Sequence, residues 1–149
     1  MKREYISSSS SQTKKIGAIL AKEILRKRKG NAPFVIGLQG ELGGGKTTFL
    51  QGFAKGLGIK EKILSPTFVI LKKFKIKDSR LKNFYHIDCY RIQKPKELLD
   101  LGFKKIISEP NNIVVVEWAD KIKKIMPKGT LWIDFSFQDK KIRKIKLEF

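Results

Sequence analysis

Cysteine and long apolar runs are both nearly missing from this 149-residue sequence, and each absence excludes a class of protein. The single cysteine, Cys89, cannot form an internal disulfide framework, which suits a reducing compartment. No apolar run approaches the roughly 20 residues that a membrane-spanning helix needs, and residues 1–6 turn polar too soon for a signal peptide. We therefore expect a cytoplasmic protein, and the length predicts one domain over residues 1–149.

Acidic residues are also scarce, because 14 Asp and Glu oppose 33 Lys and Arg, so the formal net charge is +19. An excess of this size can mark a surface for nucleic acid or for an acidic partner. The excess is mostly lysine and runs from end to end, whereas a dedicated phosphate-reading face favours arginine and concentrates its charge. We favour a lysine-rich composition as the explanation, and weak contact with RNA or an acidic partner stays an alternative.

Glycines cluster in the segment Gly40–Thr47, which matches the phosphate-binding loop pattern G-x-x-x-x-G-K-[ST]. The apolar run Phe34–Leu38 before it predicts a buried strand, and apolar residues at helical spacing after it predict a helix. Such a loop turns successive backbone N–H groups toward phosphate oxygens at a helix N-terminus. Lys46 would neutralise the outer phosphates and the Thr47 hydroxyl would bind a magnesium ion, which predicts a nucleoside triphosphate site.

Strands and helices alternate along the chain, which predicts an α/β fold. We expect a P-loop NTPase with a mostly parallel central sheet, antiparallel strands or a hairpin at its edge, and helices on both faces. The run Ile113–Val116 is continuously apolar, as in a central strand covered on both faces. Thr130–Phe137 and Ile142–Phe149 alternate around a polar turn, which predicts a hairpin. The other predicted elements are an extended segment at 4–6, a capped helix that stops at Gly30, strands at 68–76 and 84–88, and a helix at 95–107.

Two acidic residues each end a predicted strand. Glu117 directly follows the apolar run Ile113–Val116, and Asp88 ends the strand that begins at Phe84. Because the carboxyl ends of parallel strands meet at one edge of a sheet, each acid would lie beside the phosphates if its strand neighbours the loop strand. We expect at least one of them to serve magnesium, and we favour Glu117 for the direct contact.

Three further side chains allow more than one interpretation. Thr67 is either a turn hydroxyl that bonds its own backbone or a switch residue that senses magnesium and the γ-phosphate. His86 lies two residues before Asp88, hence on the same strand face, where it could orient that acid, contact phosphate or simply pack. Trp118 follows Glu117 and therefore points to the opposite sheet face, where it could pack in the core or flank the nucleotide.

Five motifs occur in the order and spacing of the TsaE family, which this sequence resembles over nearly its whole length. They are G-E-L-G-G-G-K-T-T-F from Gly40, S-P-T-F from Ser65, H-I-D-C-Y-R from His86, E-L-L-D-L-G-F from Glu97 and V-E-W-A-D from Val116. TsaE proteins are bacterial ATPases required for making threonylcarbamoyladenosine in tRNAs that read ANN codons. They act on a complex of TsaD and TsaB and do not perform the carbamoyl transfer themselves. The resemblance therefore implies ATP and Mg²⁺ as cofactors, and TsaD and TsaB as partners.

The resemblance also implies roles for residues of the catalytic centre. Thr47 and Glu117 would be the magnesium ligands, and Asp88 would be an acid important for hydrolysis. Thr67 becomes a switch residue rather than a turn hydroxyl. The implied phosphate cradle is Glu41, Leu42, Gly43, Gly44, Gly45, Lys46, Thr47 and Thr48.

At the other end of the nucleotide, the resemblance implies that the start of the first helix, near Thr13, lies close to the adenine. A basic residue near the last hairpin, Lys140 or Arg143, would approach the nucleotide. The sequence departs from the family pattern at two places, with Cys89 where an apolar residue is usual and Gly44 where alanine is common. Both changes are small and leave the donor groups in place, whereas residues 104–112 match poorly.

Three other classes of protein share part of this pattern. A small nucleotide or metabolite kinase also uses a G-K-T loop, but it usually needs an arginine-rich lid, and the few arginines here are spread thinly. A GTPase would carry an N-K-x-D guanine-reading segment, which the sequence lacks. A basic nucleic-acid-binding module would use the lysines without magnesium, and its RNA affinity would fall steeply with salt.

Overall fold

Seven strands form one mixed sheet in the order β1-β7-β6-β2-β5-β4-β3. The computed structural model describes residues 2–27, 31–40, 45–64, 70–77 and 81–149. The strands are β1 (Lys2–Ser7), β2 (Phe34–Gly40), β3 (Leu71–Lys75), β4 (Asn83–Asp88), β5 (Asn112–Glu117), β6 (Leu131–Phe137) and β7 (Arg143–Glu148). The helices are α1 (Ser10–Lys27), α2 (Lys46–Gly56), α3 (Pro95–Leu99) and α4 (Phe103–Ile106), with a 3₁₀ helix at Ala119–Ile125.

The four central strands are parallel to one another, and the strands at both edges of the sheet are antiparallel. β6, β2, β5 and β4 pair in parallel, whereas β1 and β7 on one side and β3 on the other run antiparallel to their neighbours. Every residue of β5 is buried, as the continuously apolar run Ile113–Val116 predicts for a strand covered on both faces. The predicted fold class is therefore confirmed, including the hairpin formed by β6 and β7.

Helices cover both faces of the sheet, and each face has its own core. On one face α1 and α2 pack on a cluster that includes Phe53, Phe84 and Phe135. On the other face the shorter helices pack on a cluster that includes Phe103 and Val116. Among the helices in the described part of the chain, none is both long and apolar enough to cross a membrane.

Helices α1 and α2 lie side by side and run in the same direction, because glycines let their backbones touch. A Cβ added to Gly52 would lie 2.0 Å from the Lys14 carbonyl oxygen, and one added to Gly17 would lie 2.3 Å from the Phe49 carbonyl oxygen. No larger residue fits at either position without moving a helix. This close approach brings the N-terminal ends of both helices together, beside the end of β2.

Two predicted elements differ from the observed ones. Residues 95–107 form two short helices rather than one, because Gly102 adopts a left-handed conformation (φ 87°) between α3 and α4 and leaves Leu101 51% exposed. The strand predicted from Phe68 begins at Leu71 in the described chain, and residues 65–69 lie outside it. The predicted helix stop at Gly30 also lies outside the described residues.

Candidate nucleotide-binding site

The glycine-rich segment lies between the end of β2 at Gly40 and the start of α2 at Lys46, at the carboxyl edge of the parallel strands. Gly45 has φ 98°, a conformation that glycine adopts without steric cost. A Cβ at this position would lie 3.0 Å from Arg143 Cδ and 3.6 Å from Thr13 Cγ2. The described end of the loop is therefore enclosed by side chains from α1 and β7.

Several predicted site residues lie outside the described part of the chain. They are Glu41, Leu42, Gly43, Gly44 and Thr67. Their assignments to the phosphate cradle and to the switch stay predictions.

Lys46 is 5% exposed and is held by groups of the protein itself. Its Nζ donates a hydrogen bond to the Gly40 carbonyl oxygen at 2.8 Å and lies 3.9 Å from the centroid of the Trp118 ring. Burial lowers the pKa of the Lys46 ammonium, although nearby carboxylates, Glu117 first among them, act in the opposite direction. A buried cation on the first residue of a helix is suited to bind the phosphates of a nucleotide.

Glu117 and Asp88 lie opposite each other in the register of β5 and β4, at the same edge of the sheet as the loop. They are 2% and 9% exposed. Thr47 Oγ1 donates to Glu117 Oε1 at 3.4 Å, so a hydroxyl and a carboxylate oxygen face the same point from α2 and β5. These are the oxygen ligands that Mg²⁺ accepts together with substrate phosphates, and the donor set therefore fits this ion.

His86 contacts Glu117 rather than the acid on its own strand. Its Nε2 lies 2.6 Å from Glu117 Oε2, and the imidazole is 1% exposed. Asp88 Oδ1 instead accepts a hydrogen bond from the Tyr90 backbone N–H at 2.9 Å. The sequence analysis considered Asp88 as the acid next to His86, whereas the structure places the imidazole against Glu117 on the neighbouring strand.

Trp118 is half-buried and packs against the cluster on the opposite face, as the alternation along β5 predicts. With φ 57° it is the non-glycine residue with a left-handed backbone among those described, and such strain costs on the order of 1–3 kcal/mol. This turn brings the indole back to Lys46, so Trp118 both packs in the core and borders the site.

Tyr90 belongs to the site although the sequence analysis assigned it no role. Its ring lies 5.2 Å from that of Trp118, its backbone N–H bonds Asp88, and its carbonyl oxygen accepts a hydrogen bond from Lys121 Nζ. The signal that points to it is its position two residues after Asp88, within the motif H-I-D-C-Y-R. Tyr90 thus links the acid at the end of β4 to the tryptophan.

Two of the residues assigned to the far end of the nucleotide lie beside Gly45. Thr13 is fully buried, and its hydroxyl lies 2.7 Å from Ser7 Oγ. Arg143 Nε is a buried side-chain nitrogen that has no hydrogen-bond partner within the described chain. Lys140 is exposed in the turn between β6 and β7, so of the two basic residues considered, Arg143 is the one beside the loop.

The sequence and the fold of this chain match those of known proteins. The sequence model described as "Threonylcarbamoyl adenosine biosynthesis protein TsaE" matches residues 7–145. Among curated proteins, the tRNA threonylcarbamoyladenosine biosynthesis protein TsaE of Haemophilus influenzae is 31% identical over 117 residues, which cover 78% of this chain and 72% of the relative. The protein of the same name from Bacillus subtilis is 40% identical over 99 residues, or 66% of this chain and 59% of the relative. The Rickettsia felis TsaE is 30% identical over 93% of this chain and 75% of the relative.

One solved structure also matches. The crystal structure of YdiB from Bacillus subtilis superposes with a TM-score of 0.70 and 28% sequence identity. The match covers 99% of this chain and 84% of the YdiB chain. The fold is therefore shared over nearly the whole chain.

Proposed function

The chain belongs to the TsaE family, and from this premise we propose that it binds and hydrolyses ATP with Mg²⁺ in the biosynthesis of threonylcarbamoyladenosine in tRNA. The observation that carries the proposal is the convergence of Lys46, Thr47 and Glu117 at the carboxyl edge of β2 and β5. A buried lysine beside a hydroxyl–carboxylate pair supplies the charges that a triphosphate and its magnesium ion need.

In this proposal the chain's own groups position the triphosphate and water. Lys46 would exchange its internal partners for the outer phosphates, and Thr47 and Glu117 are the residues that would hold Mg²⁺. The ion, when bound, neutralises charge that develops on the phosphate oxygens. Asp88, one strand further from the loop, places the attacking water, and Thr67 senses the γ-phosphate. The loop amides from residue 41 to residue 48 complete the cradle.

The nucleoside would lie between α1 and the β6–β7 hairpin. Thr13 and Arg143 already flank Gly45, and the Arg143 Nε–H has no acceptor among the described residues, so a nucleotide could supply one. Trp118 borders the phosphate end. Lys140 lies on the hairpin turn, from which it would approach the nucleotide only at its solvent side.

In this proposal ATP hydrolysis drives or resets a tRNA-modifying protein assembly, and the phosphate is transferred to water and not to a small-molecule acceptor. The family resemblance names TsaD and TsaB as the partners and tRNAs that read ANN codons as the modified molecules. The ATPase would be weak alone and would act fully on the TsaD–TsaB complex, in the cytoplasm where tRNA is modified.

The test in cells is depletion of the protein followed by measurement of threonylcarbamoyladenosine in total tRNA. We expect the modified nucleoside to fall and to be restored by the wild-type chain but not by Lys46→Ala. Lys55→Ala, an exposed lysine on the same helix, is the matched control and should restore it. An unchanged level of the nucleoside after depletion would overturn the assignment to this pathway.

The test in solution is hydrolysis of ATP by the purified chain, alone and with the TsaD–TsaB complex. We expect phosphate release that requires Mg²⁺, rises when the complex is added and is lost in Lys46→Ala. Transfer of the phosphate to a nucleoside or metabolite, instead of to water, would favour the kinase alternative.

A further inference from the structure

The contact between His86 and Glu117 is short, buried and formed across two strands. The Nε2 to Oε2 distance is 2.6 Å, and both side chains are at least 97% buried. Burying an imidazole and a carboxylate is costly unless each finds a partner. Burial of the two groups therefore carries a desolvation cost. Apolar residues at these two positions would pack in the sheet without this cost.

The register of the sheet explains how the two side chains meet. β4 and β5 are parallel, with Asp88 opposite Glu117 and His86 opposite Val115. His86 therefore lies two residues behind Glu117 on the same face of the sheet, the face that carries α2. From there the imidazole reaches forward along the strand direction and meets the carboxylate from the side away from the loop.

The two oxygens of Glu117 consequently have different partners. Oε2 lies against His86, and Oε1 accepts the hydrogen bond from Thr47 Oγ1 at 3.4 Å. A carboxylate accepts, so the imidazole donates its Nε2–H. Because rotation of the carboxylate would break the contact between Oε2 and His86, this contact favours the orientation in which Oε1 faces the Thr47 hydroxyl.

We propose that His86 is a positioning residue for the magnesium site: it donates Nε2–H to Glu117 Oε2 and holds Oε1 toward the ion. The inference rests on the proposed function, in which Glu117 and Thr47 are the magnesium ligands. His86 itself contacts neither ion nor nucleotide. Partners of this kind orient metal-binding carboxylates, and their loss typically weakens metal affinity about 10- to 100-fold.

The first experiment measures Mn²⁺ affinity in the presence of ADP, by the electron paramagnetic resonance signal of free Mn²⁺. We expect His86→Leu, which cannot donate, to bind Mn²⁺ about 10- to 100-fold more weakly. His86→Gln places an amide N–H near the position of Nε2 and should recover most of the affinity. ADP affinity without metal should be unchanged in both variants, because the phosphate contacts of Lys46 remain.

The matched control is Phe84→Leu, on the same strand and sheet face as His86 but without contact to Glu117. It perturbs the packing of β4 and should leave Mn²⁺ affinity at the wild-type value. Wild-type affinity in His86→Leu, or an equal loss in Phe84→Leu, would overturn the positioning role. Glu117→Gln distinguishes a failure of the positioning role from a failure of the proposed function. If the Glu117→Gln protein also binds Mn²⁺ like the wild type, Glu117 is not a metal ligand.

A second measurement needs no substitution, since His86 is the only histidine of the chain. Nitrogen-15 labelling of histidine in the untagged protein gives a single imidazole by NMR. We expect the tautomer with the proton on Nε2, and we expect this proton to stay in place when Mg²⁺ and ADP are added. An imidazole protonated only on Nδ1 would overturn the proposal even if His86→Leu fails to fold.

Discussion

Gly52→Ala tests whether the contact between α1 and α2 positions the nucleotide site. The added Cβ would lie 2.0 Å from the Lys14 carbonyl oxygen, whereas ordinary contact begins at 3.4 Å, so the helices must separate by about 1.4 Å. Overpacking of this kind costs about 1–3 kcal/mol, and a backbone obstacle places it at the upper end. Because alanine has a higher helix propensity than glycine, the substitution also stabilises the folded state by about 1 kcal/mol. We therefore expect the free energy of unfolding to fall by about 2 kcal/mol, which for a chain of this size lowers Tm by about 4–8 °C.

The assay is urea unfolding followed by circular dichroism, together with ADP affinity measured below the unfolding transition. Because α1 carries Thr13 against Gly45, separation of the helices should also weaken ADP binding several-fold. Gly58→Ala is the matched control: nothing lies within 4 Å of its added Cβ, but its φ of 83° makes the substitution strained. The free energy of unfolding of the control should fall by about 1 kcal/mol, and its ADP affinity should stay at the wild-type value. A Gly52→Ala protein more stable than the wild type, as helix propensity alone predicts, would refute the reasoning.

Three further predictions concern charged and aromatic groups. Arg143→Ala should weaken ADP binding about tenfold by isothermal calorimetry while Lys140→Ala changes it less than twofold, because only the arginine lies against the loop; equal effects would contradict this placement. Hydrogen bonds from an arginine and then a lysine lower the pKa of Glu23 from 4.5 to about 2, so its stabilisation is complete above pH 4.5 and is lost as the pH falls through 2. Since a fifth of this side chain is exposed, Glu23→Gln should cost about 1 kcal/mol in urea unfolding at pH 7, less as the pH falls below 4.5, and nothing once the pH is well below 2; a loss independent of pH would argue against the ion pairs. In a Trp132→Phe background, ATP should change the fluorescence of Trp118, because the phosphate-loop lysine leaves its ring; constant emission at saturating ATP would mean that the lysine stays in place.

The sequence predicted the parts of the site that depend on local pattern. The strand, loop and helix around Lys46 follow from apolar spacing and glycine, over fewer than 25 residues. The sequence placed each acid beside the loop if its strand neighbours β2; this condition is met for Glu117 on β5, whereas Asp88 lies on β4, one strand further away. Each of these inferences needs only an element and its direction, not the detailed packing of side chains.

The contacts that depend on register and on distant chain segments were not predictable in the same way. Alternation along β4 paired His86 with Asp88, but the offset between β4 and β5 decides that the imidazole meets Glu117. The sequence left Lys140 and Arg143 as equal candidates, because the turn of the hairpin determines which of them faces the loop. Both contacts depend on how distant segments pair and pack, and the sequence of a single segment does not determine this.

The internal partners of Lys46 set a reference state for nucleotide affinity. In the proposed function, ATP would have to replace the Gly40 carbonyl and the Trp118 ring as partners of the Lys46 ammonium, and contacts of these kinds are worth about 1–2 kcal/mol each. The dissociation constant for ATP would therefore reflect a difference, in which each 1.4 kcal/mol of internal competition corresponds to about a tenfold loss of affinity. A protein that drew Trp118 aside would remove part of this competition and tighten ATP binding without touching a phosphate. Displacement of Trp118 would therefore change the occupancy of the site although its ring contacts a side chain of the protein, Lys46.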